Sequence, residues 1–214
     1  GGSGTGKSFF TNYFVRSCYD AGQTVFIIDV GDSYQGLCSV VNEESGGKDG
    51  IYYTWDRNSP ITFDAFIGIE QWLDEDDRLQ QESDGLNFLL SFLQTLWSPR
   101  GGWNADSGNI LKQIIRDFAL SRRGNSERPI FNDLRSFIIS DIAPKIHSKQ
   151  GYTCDDVNVT SSRFDIDGLI LAMGDYSKDG AFGFLLNDRN PRDLFSSRFT
   201  VFEVDKLSGI NDSK

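Results

Sequence analysis

Apolar residues in the first 66 positions alternate between helical and extended spacing. Between Lys7 and Tyr19, apolar side chains at 9, 10, 14 and 15 have the spacing of a helix, and Gly22 follows as its C-cap. Residues 24–29 (TVFIID) are a short β-branched run that ends in an acid, which is typical of a buried parallel strand. A helix over 34–42, a strand over 51–54 and an extended stretch over 60–66 are predicted next. This alternation predicts a parallel sheet with helices packed on it.

The middle of the chain has a different pattern, with helical stripes and no convincing strand between 67 and 147. Helices are predicted over 86–97 and 110–121, and a third from Asn132, as its N-cap, toward Pro144. The first stripe consists of Phe88, Leu89, Phe92, Leu93 and Leu96, and the second of Ile110, Leu111, Ile114, Ile115 and Phe118. The acidic run 74–77 is interpreted as a solvated helix face. We therefore interpret 67–147 as a helical insertion into an α/β domain.

The last third returns to mixed structure. A helix is predicted over 161–173, a glycine-aromatic turn over 180–184 and a strand within 198–205. The predicted organisation is therefore the N-terminal part of the core in 1–66, the insertion in 67–147 and the continuation of the core in 148–214.

The composition is that of an ordinary folded protein with an acidic balance. Of 214 residues, 38% are hydrophobic and 24% charged, and the formal net charge is −10. This charge argues against a surface built to coat nucleic acid or an anionic membrane, although it leaves room for a local basic groove. One histidine and three scattered cysteines make a zinc site or a disulfide framework improbable and favour a reducing compartment. No apolar run has the length that crosses a bilayer.

The first eight residues, GGSGTGKS, match the phosphate-binding loop pattern of Gly, four residues, and then Gly-Lys-Ser or Gly-Lys-Thr. Its glycines let several backbone N–H groups converge, and the helix N-terminus that follows favours a phosphate anion. Lys7 would reach the β- and γ-phosphates as the catalytic residue, and the Ser8 hydroxyl would bind Mg²⁺. The predicted nucleotide-binding residues are Gly1, Gly2, Ser3, Gly4, Thr5, Gly6, Lys7, Ser8 and Phe9.

A terminus rich in glycine and serine also has the composition of a flexible linker. The residues after it decide against that alternative, because a helix, a glycine and a buried strand follow in the order that a phosphate-binding loop requires. Such a loop normally follows a buried strand, and no strand precedes Gly1 here. We therefore expect this chain to lack the first strand of its core, unless another segment takes that place.

Three segments in this order resemble the TraG-type conjugative-transfer ATPases, the energising ATPases of type IV secretion systems. They are GGSGTGKSFF at 1–10, IIDVGDSYQGL at 27–37 and RFTVFEVDKLS at 198–208, and YSKDGAFGFLLN at 176–187 also resembles the family. The resemblance implies an α/β, RecA-like P-loop NTPase with a parallel sheet, helices on both faces and a helical insertion. It also implies ATP and Mg²⁺ as cofactors, conjugation and type IV secretion proteins as partners, and a hexamer of the full-length protein. That hexamer is expected to lie peripherally at the cytoplasmic face of the bacterial inner membrane.

The acid that activates the attacking water is expected outside this chain. In the family, a motif of four apolar residues and Asp-Glu should follow the last strand by some tens of residues, and the chain ends before it. Asp29 is an alternative Mg²⁺ contact, through a water. Glu203 and Asp205 share one face of the last strand, and one of them is interpreted as a salt-bridge partner rather than a catalyst.

The remaining charged candidates favour surface roles. Arg189, Arg192 and Arg198 form a small basic group, which a motor of this class could use as an arginine finger but which is more typical of a solvated surface. His147 is interpreted as a surface residue.

Three functions are consistent with these residues. The first is ATP hydrolysis coupled to pilus assembly or substrate transfer in conjugation. The second is a DNA-translocating ATPase, against which the acidic balance counts mildly. The third is a nucleotide-binding scaffold without turnover, which best describes a chain that lacks the Asp-Glu motif.

Overall fold

The computed structural model describes residues 7–54, 62–80, 83–99, 102–191 and 197–204, with Lys7 and Ser8 described by their backbone. Its helices and strands are, in chain order, α1 (Lys7–Asp20), β1 (Val25–Asp29), α2 (Gln35–Glu44), β2 (Ile51–Thr54), α3 (Asp84–Leu96), α4 (Ala105–Arg122), α5 (Phe131–Phe137), α6 (Ala143–His147), β3 (Tyr152–Cys154), β4 (Val157–Val159), α7 (Ile166–Ala172) and β5 (Phe199–Glu203). Ile138–Ile142 forms a π-helical segment between α5 and α6, and single 3₁₀ turns lie at Ile69–Gln71, Gly174–Tyr176 and Gly183–Leu185.

The chain divides into two compact units. The first consists of Gly1–Ile61 and Arg192–Lys214, and the second of Thr62–Pro191. The second unit thus contains β3, β4 and α7 in addition to the helices of 67–147. The division into core, insertion and core at 1–66, 67–147 and 148–214 stays a prediction.

The first unit is built on a three-stranded parallel sheet with the order β1-β5-β2. Strand β5 lies between two strands that precede it by more than a hundred residues, and its register places Glu203 opposite Asp29 of β1. All three strands run in the same direction, so their carboxyl ends meet at one edge. This confirms the predicted α/β class with a parallel sheet flanked by helices.

A small apolar cluster joins the sheet of the first unit to α1 and α2. Its buried members are Val25, Cys38, Val41, Phe199 and Val201, and Val15, Cys18 and Tyr19 of α1 pack against them. Both helices therefore contribute to one cluster. Phe26 and Ile28, which alternate with the inward residues of β1, are 45% and 77% exposed.

The second unit has the larger apolar core. The predicted stripe of α4 is confirmed, since all five of its apolar residues are buried. In α3, Leu89 and Leu93 of the predicted stripe are fully buried, whereas Phe88 is 44% exposed and stacks on Phe92. Among the described residues of 67–147, an isolated bridge between Leu73 and Leu79 is the one extended pairing, and no strand is present.

Three predictions in the second unit are wrong because aspartate side chains accept nearby backbone N–H groups. They concern residues 74–77, the start of α5 and the start of α7. The acidic run 74–77 is a turn rather than a helix face, since Asp74 Oδ1 accepts the N–H groups of Asp76 and Arg78. Helix α5 begins after Ile130, because Asp133 accepts the Ile130 N–H. Asn132 is therefore inside the helix and is not its N-cap.

Helix α7 starts later than the predicted 161–173, because the Asp165 carboxylate accepts the Gly168 N–H and caps the helix there. Residues 65–66 are part of a turn, so the predicted extended stretch 60–66 is wrong at its end, and residues 60–61 lie outside the described part. The hairpin β3–β4 was not predicted. Its two connecting residues, Asp155 and Asp156, have φ of 45° and 62°, as a tight two-residue turn requires.

Candidate functional site

The predicted phosphate-binding loop precedes α1. Residues Gly1 to Gly6 and the side chains of Lys7 and Ser8 lie outside the described part, so their roles stay predictions. The backbone is helical from Lys7 onward, where the loop pattern predicts a helix to begin, and the first turn carries no acidic residue. Phe9 is 81% exposed. A first turn without an acidic residue suits an anion at the helix N-terminus.

The loop between β1 and α2, residues 30–34, contacts α1 one turn after Lys7 and Ser8. The Asn12 side-chain amide donates to the Ser33 carbonyl oxygen over 3.3 Å, and the Tyr34 side chain is hydrogen-bonded to Thr11. Residues four apart lie on the same face of a helix. Hydrogen bonds therefore hold the carboxyl edge of the sheet beside the first two turns of α1. Ligands of open parallel sheets bind at such an edge.

Asp29 ends β1 at this edge, and its side chain organises the loop. The residue is 6% exposed. Its Oδ1 accepts the Val30 N–H over 2.9 Å, and its Oδ2 accepts the Tyr34 N–H over 3.2 Å. Both carboxylate oxygens thus bind backbone, and a contact between Asp29 and Mg²⁺ through water stays a prediction.

Glu203 ends β5 beside Asp29 and holds the same loop from the sheet. It is 1% exposed. Its Oε2 accepts the Asp32 N–H over 2.7 Å, and its Oε1 lies 3.3 Å from the Gly31 nitrogen, which donates to it. The expected alternative of a salt-bridge partner does not describe these contacts, which are to backbone N–H groups. Asp205 lies outside the described residues.

Tyr52 of β2 completes this cluster of polar side chains. Its hydroxyl donates to Asp32 Oδ1 over 2.7 Å and lies 3.3 Å from Glu203 Oε2. Burial and the two neighbouring carboxylates raise the pKa of Tyr52, so it stays a neutral donor at physiological pH. Sequence reasoning missed Gly31, Asp32 and Tyr52. The one available signal was the Gly-Asp pair two residues after a strand that ends in an acid, a pair typical of a turn; both residues adopt positive φ, 101° and 58°.

The other candidate residues are engaged elsewhere. Arg189 forms ion pairs with Glu127 and Asp133 in the second unit. Arg198 donates to the Tyr19 carbonyl oxygen in the first unit, while Arg192 lies outside the described part. His147 is partly exposed, and its Nε2 lies 3.2 Å from Asp167 Oδ1.

The described residues show neither a metal-binding cluster nor a bilayer-spanning helix. They contain no group of three or more His, Cys, Asp or Glu side chains arranged to hold a metal ion. Among the same residues, no helix combines the length and the apolar character that a bilayer-spanning segment needs.

Comparison with known proteins agrees with this geometry. The family model described as the TraG P-loop domain matches residues 1–212. The chain belongs to the TraG P-loop domain family. It is also similar to Protein TraC of Escherichia coli (strain K12), with 24% identity over 212 residues, which is 99% of this chain and 20% of that protein. This TraG P-loop domain thus spans about a fifth of the length of that relative. No solved structure matches it significantly.

Membership of the family confirms the resemblance that the three ordered segments indicated and identifies residues 1–8 as part of a P-loop domain. P-loop domains bind nucleotides and are NTPases as a class, usually with Mg²⁺. In this TraG P-loop domain, the helix that carries the motif lies next to one edge of the sheet. Loop 30–34 and the acids Asp29 and Glu203, which bind it, lie at that edge.

Proposed function

We propose that this chain is the ATP-binding part of a conjugative-transfer ATPase of type IV secretion. In the full-length protein, hydrolysis of ATP would be coupled to pilus assembly or substrate transfer. The observation that carries the proposal is the start of α1 at Lys7, directly after the glycine-rich loop and beside the carboxyl edge of a parallel sheet. The family match over 1–212 supports the same assignment.

The proposed nucleotide site uses residues of this chain alone. The backbone N–H groups of Gly1 to Gly6 would surround the phosphates, Lys7 would neutralise the β- and γ-phosphates, and Ser8 would ligate Mg²⁺. Asp29 would approach the ion through a water. ATP supplies the reactive phosphoanhydride, and the protein binds, orients and neutralises it.

The remaining parts of the proposal concern the full-length protein. We propose a homo-hexamer, peripheral to the cytoplasmic face of the inner membrane, with other conjugation proteins as partners. DNA-stimulated hydrolysis by the full-length protein would favour a DNA-translocating ATPase, and complete indifference to DNA would exclude it.

Nucleotide binding without fast turnover is the second candidate for this chain by itself. Its support is the use of the acids at the sheet edge, because Asp29 and Glu203 accept backbone N–H groups and Asp32 accepts the Tyr52 hydroxyl. A carboxylate engaged in this way is poorly placed to take a proton from water. We therefore expect phosphate release by the purified chain to stay at the level of a Lys7→Ala variant. Robust turnover would contradict this and would promote Asp29 or Glu203 to a catalytic role.

The binding test uses a fluorescent ATP analogue with Mg²⁺, titrated into the 214-residue chain. Lys7→Ala removes the charge that meets the phosphates and should raise the Kd at least about tenfold, since a charge-assisted contact is worth about 1.5–3 kcal/mol. The control is Lys48→Ala, which removes an exposed lysine of the same unit and should leave the Kd within about twofold. Equal affinity of wild type and Lys7→Ala would refute the assignment.

A further inference from the structure

The loop of residues 30–34 is hydrogen-bonded both to the sheet and to α1. From β5, the Glu203 carboxylate accepts the N–H groups of Gly31 and Asp32. From α1, the Asn12 amide donates to the Ser33 carbonyl oxygen. The loop is therefore a physical connection between the end of a central strand and the helix that carries the phosphate-binding motif.

The hydrogen bonds between Glu203 and the loop are buried and hold an unusual backbone conformation. Glu203 is 1% exposed, so its hydrogen bonds compete little with water. The donors belong to two consecutive residues in the left-handed region, one of them the non-glycine Asp32 with φ of 58°. A conformation of this kind persists only where the surroundings fix it.

The residues of α1 that contact the loop lie one helical turn after the motif. Thr11 and Asn12 follow Lys7 and Ser8 by four residues, which is one helical turn on the same face. Side chains of a helix also lean toward its N-terminus, so those of Thr11 and Asn12 point back along α1 toward the motif. Movement of loop 30–34 would therefore shift or release the start of α1.

We propose that Glu203 is a positioning residue for nucleotide binding, which fixes loop 30–34 and through it the first two turns of α1. This inference rests on the proposed ATP site. It assigns Glu203 no contact with the nucleotide. When the loop is released, a smaller fraction of molecules has α1 in the binding-competent position, and the apparent affinity falls by that fraction.

The first experiment keeps the shape of Glu203 and removes one of its two acceptor oxygens. In Glu203→Gln, one of the two oxygen acceptors becomes an amide donor that faces a backbone N–H. We expect faster hydrogen exchange at the Gly31 and Asp32 amides and a Kd for the fluorescent ATP analogue that is at least about fivefold higher. The matched control is Glu43→Gln, which changes an exposed glutamate of α2 and should alter neither.

The second experiment asks whether Glu203 and α1 act through the same loop. Asn12→Ala removes one of the hydrogen bonds between α1 and the loop and should raise the Kd about threefold, and alanine does not weaken the helix. If both residues fix one loop, the double variant should weaken binding by clearly less than the product of the single effects, because either substitution alone already loosens that loop. Independent, multiplicative effects would overturn the proposal, since a general loss of stability has no reason to couple the two sites.

The outcomes separate this proposal from the one on which it rests. If the wild type and Lys7→Ala bind nucleotide equally, the ATP site is wrong. If Lys7→Ala loses binding while Glu203→Gln binds as the wild type does at a temperature where both are folded, the ATP site stands and the positioning role is wrong. Loss of binding in Glu203→Gln with unchanged exchange at Gly31 and Asp32 would also overturn it, because the loop would not be the connection.

Discussion

Asp29 gives the sharpest test of how the sheet edge is built. Its carboxylate accepts two backbone N–H groups of the loop that follows β1, from Val30 and Tyr34. We predict that Asp29→Ala lowers the free energy of unfolding of the first unit by about 2 kcal/mol. The N–H groups of Val30 and Tyr34 both lose their acceptor in this variant, but they differ in how well water can replace it.

The magnitude follows from burial. A hydrogen bond to a charged group contributes about 1.5–3 kcal/mol. Val30 is 65% exposed, so water can replace most of what its N–H loses, whereas Tyr34 is partly buried and its N–H carries most of the cost. Asp29→Asn keeps one oxygen acceptor and should cost about half as much.

Hydrogen exchange resolved by peptide is the suitable assay, because the two units need not unfold together. Trp72, Trp97 and Trp103 lie in the second unit, so tryptophan fluorescence would report mainly on that unit. A loss of 2 kcal/mol should reduce the protection of peptides covering 25–54 by about 30-fold.

Asp20→Ala is the control for Asp29→Ala. It removes an aspartate of the same unit whose side chain is 53% exposed and pairs with Arg16 over 2.9 Å. Exposed pairs of this kind contribute less than about 1 kcal/mol. If Asp29→Ala cost no more than Asp20→Ala, the bonds of Asp29 to the loop would have no role in stability, and the reasoning would fail.

Two further predictions concern the same unit. Gly50→Ala should destabilise it by at least about 3 kcal/mol, because Gly50 has φ of 75° and a Cβ there would collide with backbone atoms of Cys38 and Asn42 in α2. Gly46→Ala, at φ of 65° with open space around the Cβ, should cost only about 1 kcal/mol, and equal costs in thermal unfolding would show that the collision is relieved. Burial raises the pKa of the Cys38 thiol from 9.0 to about 11. The neutral thiol therefore stabilises the fold below pH 9, and this contribution is lost as the pH rises from 9 through 11. Between pH 8 and 10 the wild type should lose about 1 kcal/mol more stability than Cys38→Ala, and parallel losses in urea titrations at the two pH values would contradict the raised pKa.

Local patterns in the sequence were sufficient for much of the first unit. Helix α1, strands β1 and β2, and strand β5 lie within a residue or two of their predicted positions, since each has its periodicity and its end signals in one short segment. The phosphate-binding pattern was equally local, and it led to the family that the comparison with known proteins confirmed. The buried stripe of α4 was predictable for the same reason.

Errors occurred where a short polar side chain captured a nearby backbone group. Asp74, Asp133 and Asp165 each accept N–H groups two to four residues away, and these bonds decide whether a segment turns or where a helix begins. Composition alone does not reveal which of the available acids makes such a bond. The hairpin β3–β4 was missed because each of its strands has three residues, which is too short for an alternating pattern.

What the sequence determined by itself was the family, through the phosphate-binding pattern of residues 1–8, and the order of most helices and strands after it. Only the tertiary structure decided what Glu203 does, because Gly31 and Glu203 are 172 positions apart and become neighbours only when β5 pairs with β1. The local sequence around a carboxylate at the end of a strand does not identify its hydrogen-bond partner. Its partners are backbone N–H groups, which every residue carries, and only the folded chain selects the two that reach it.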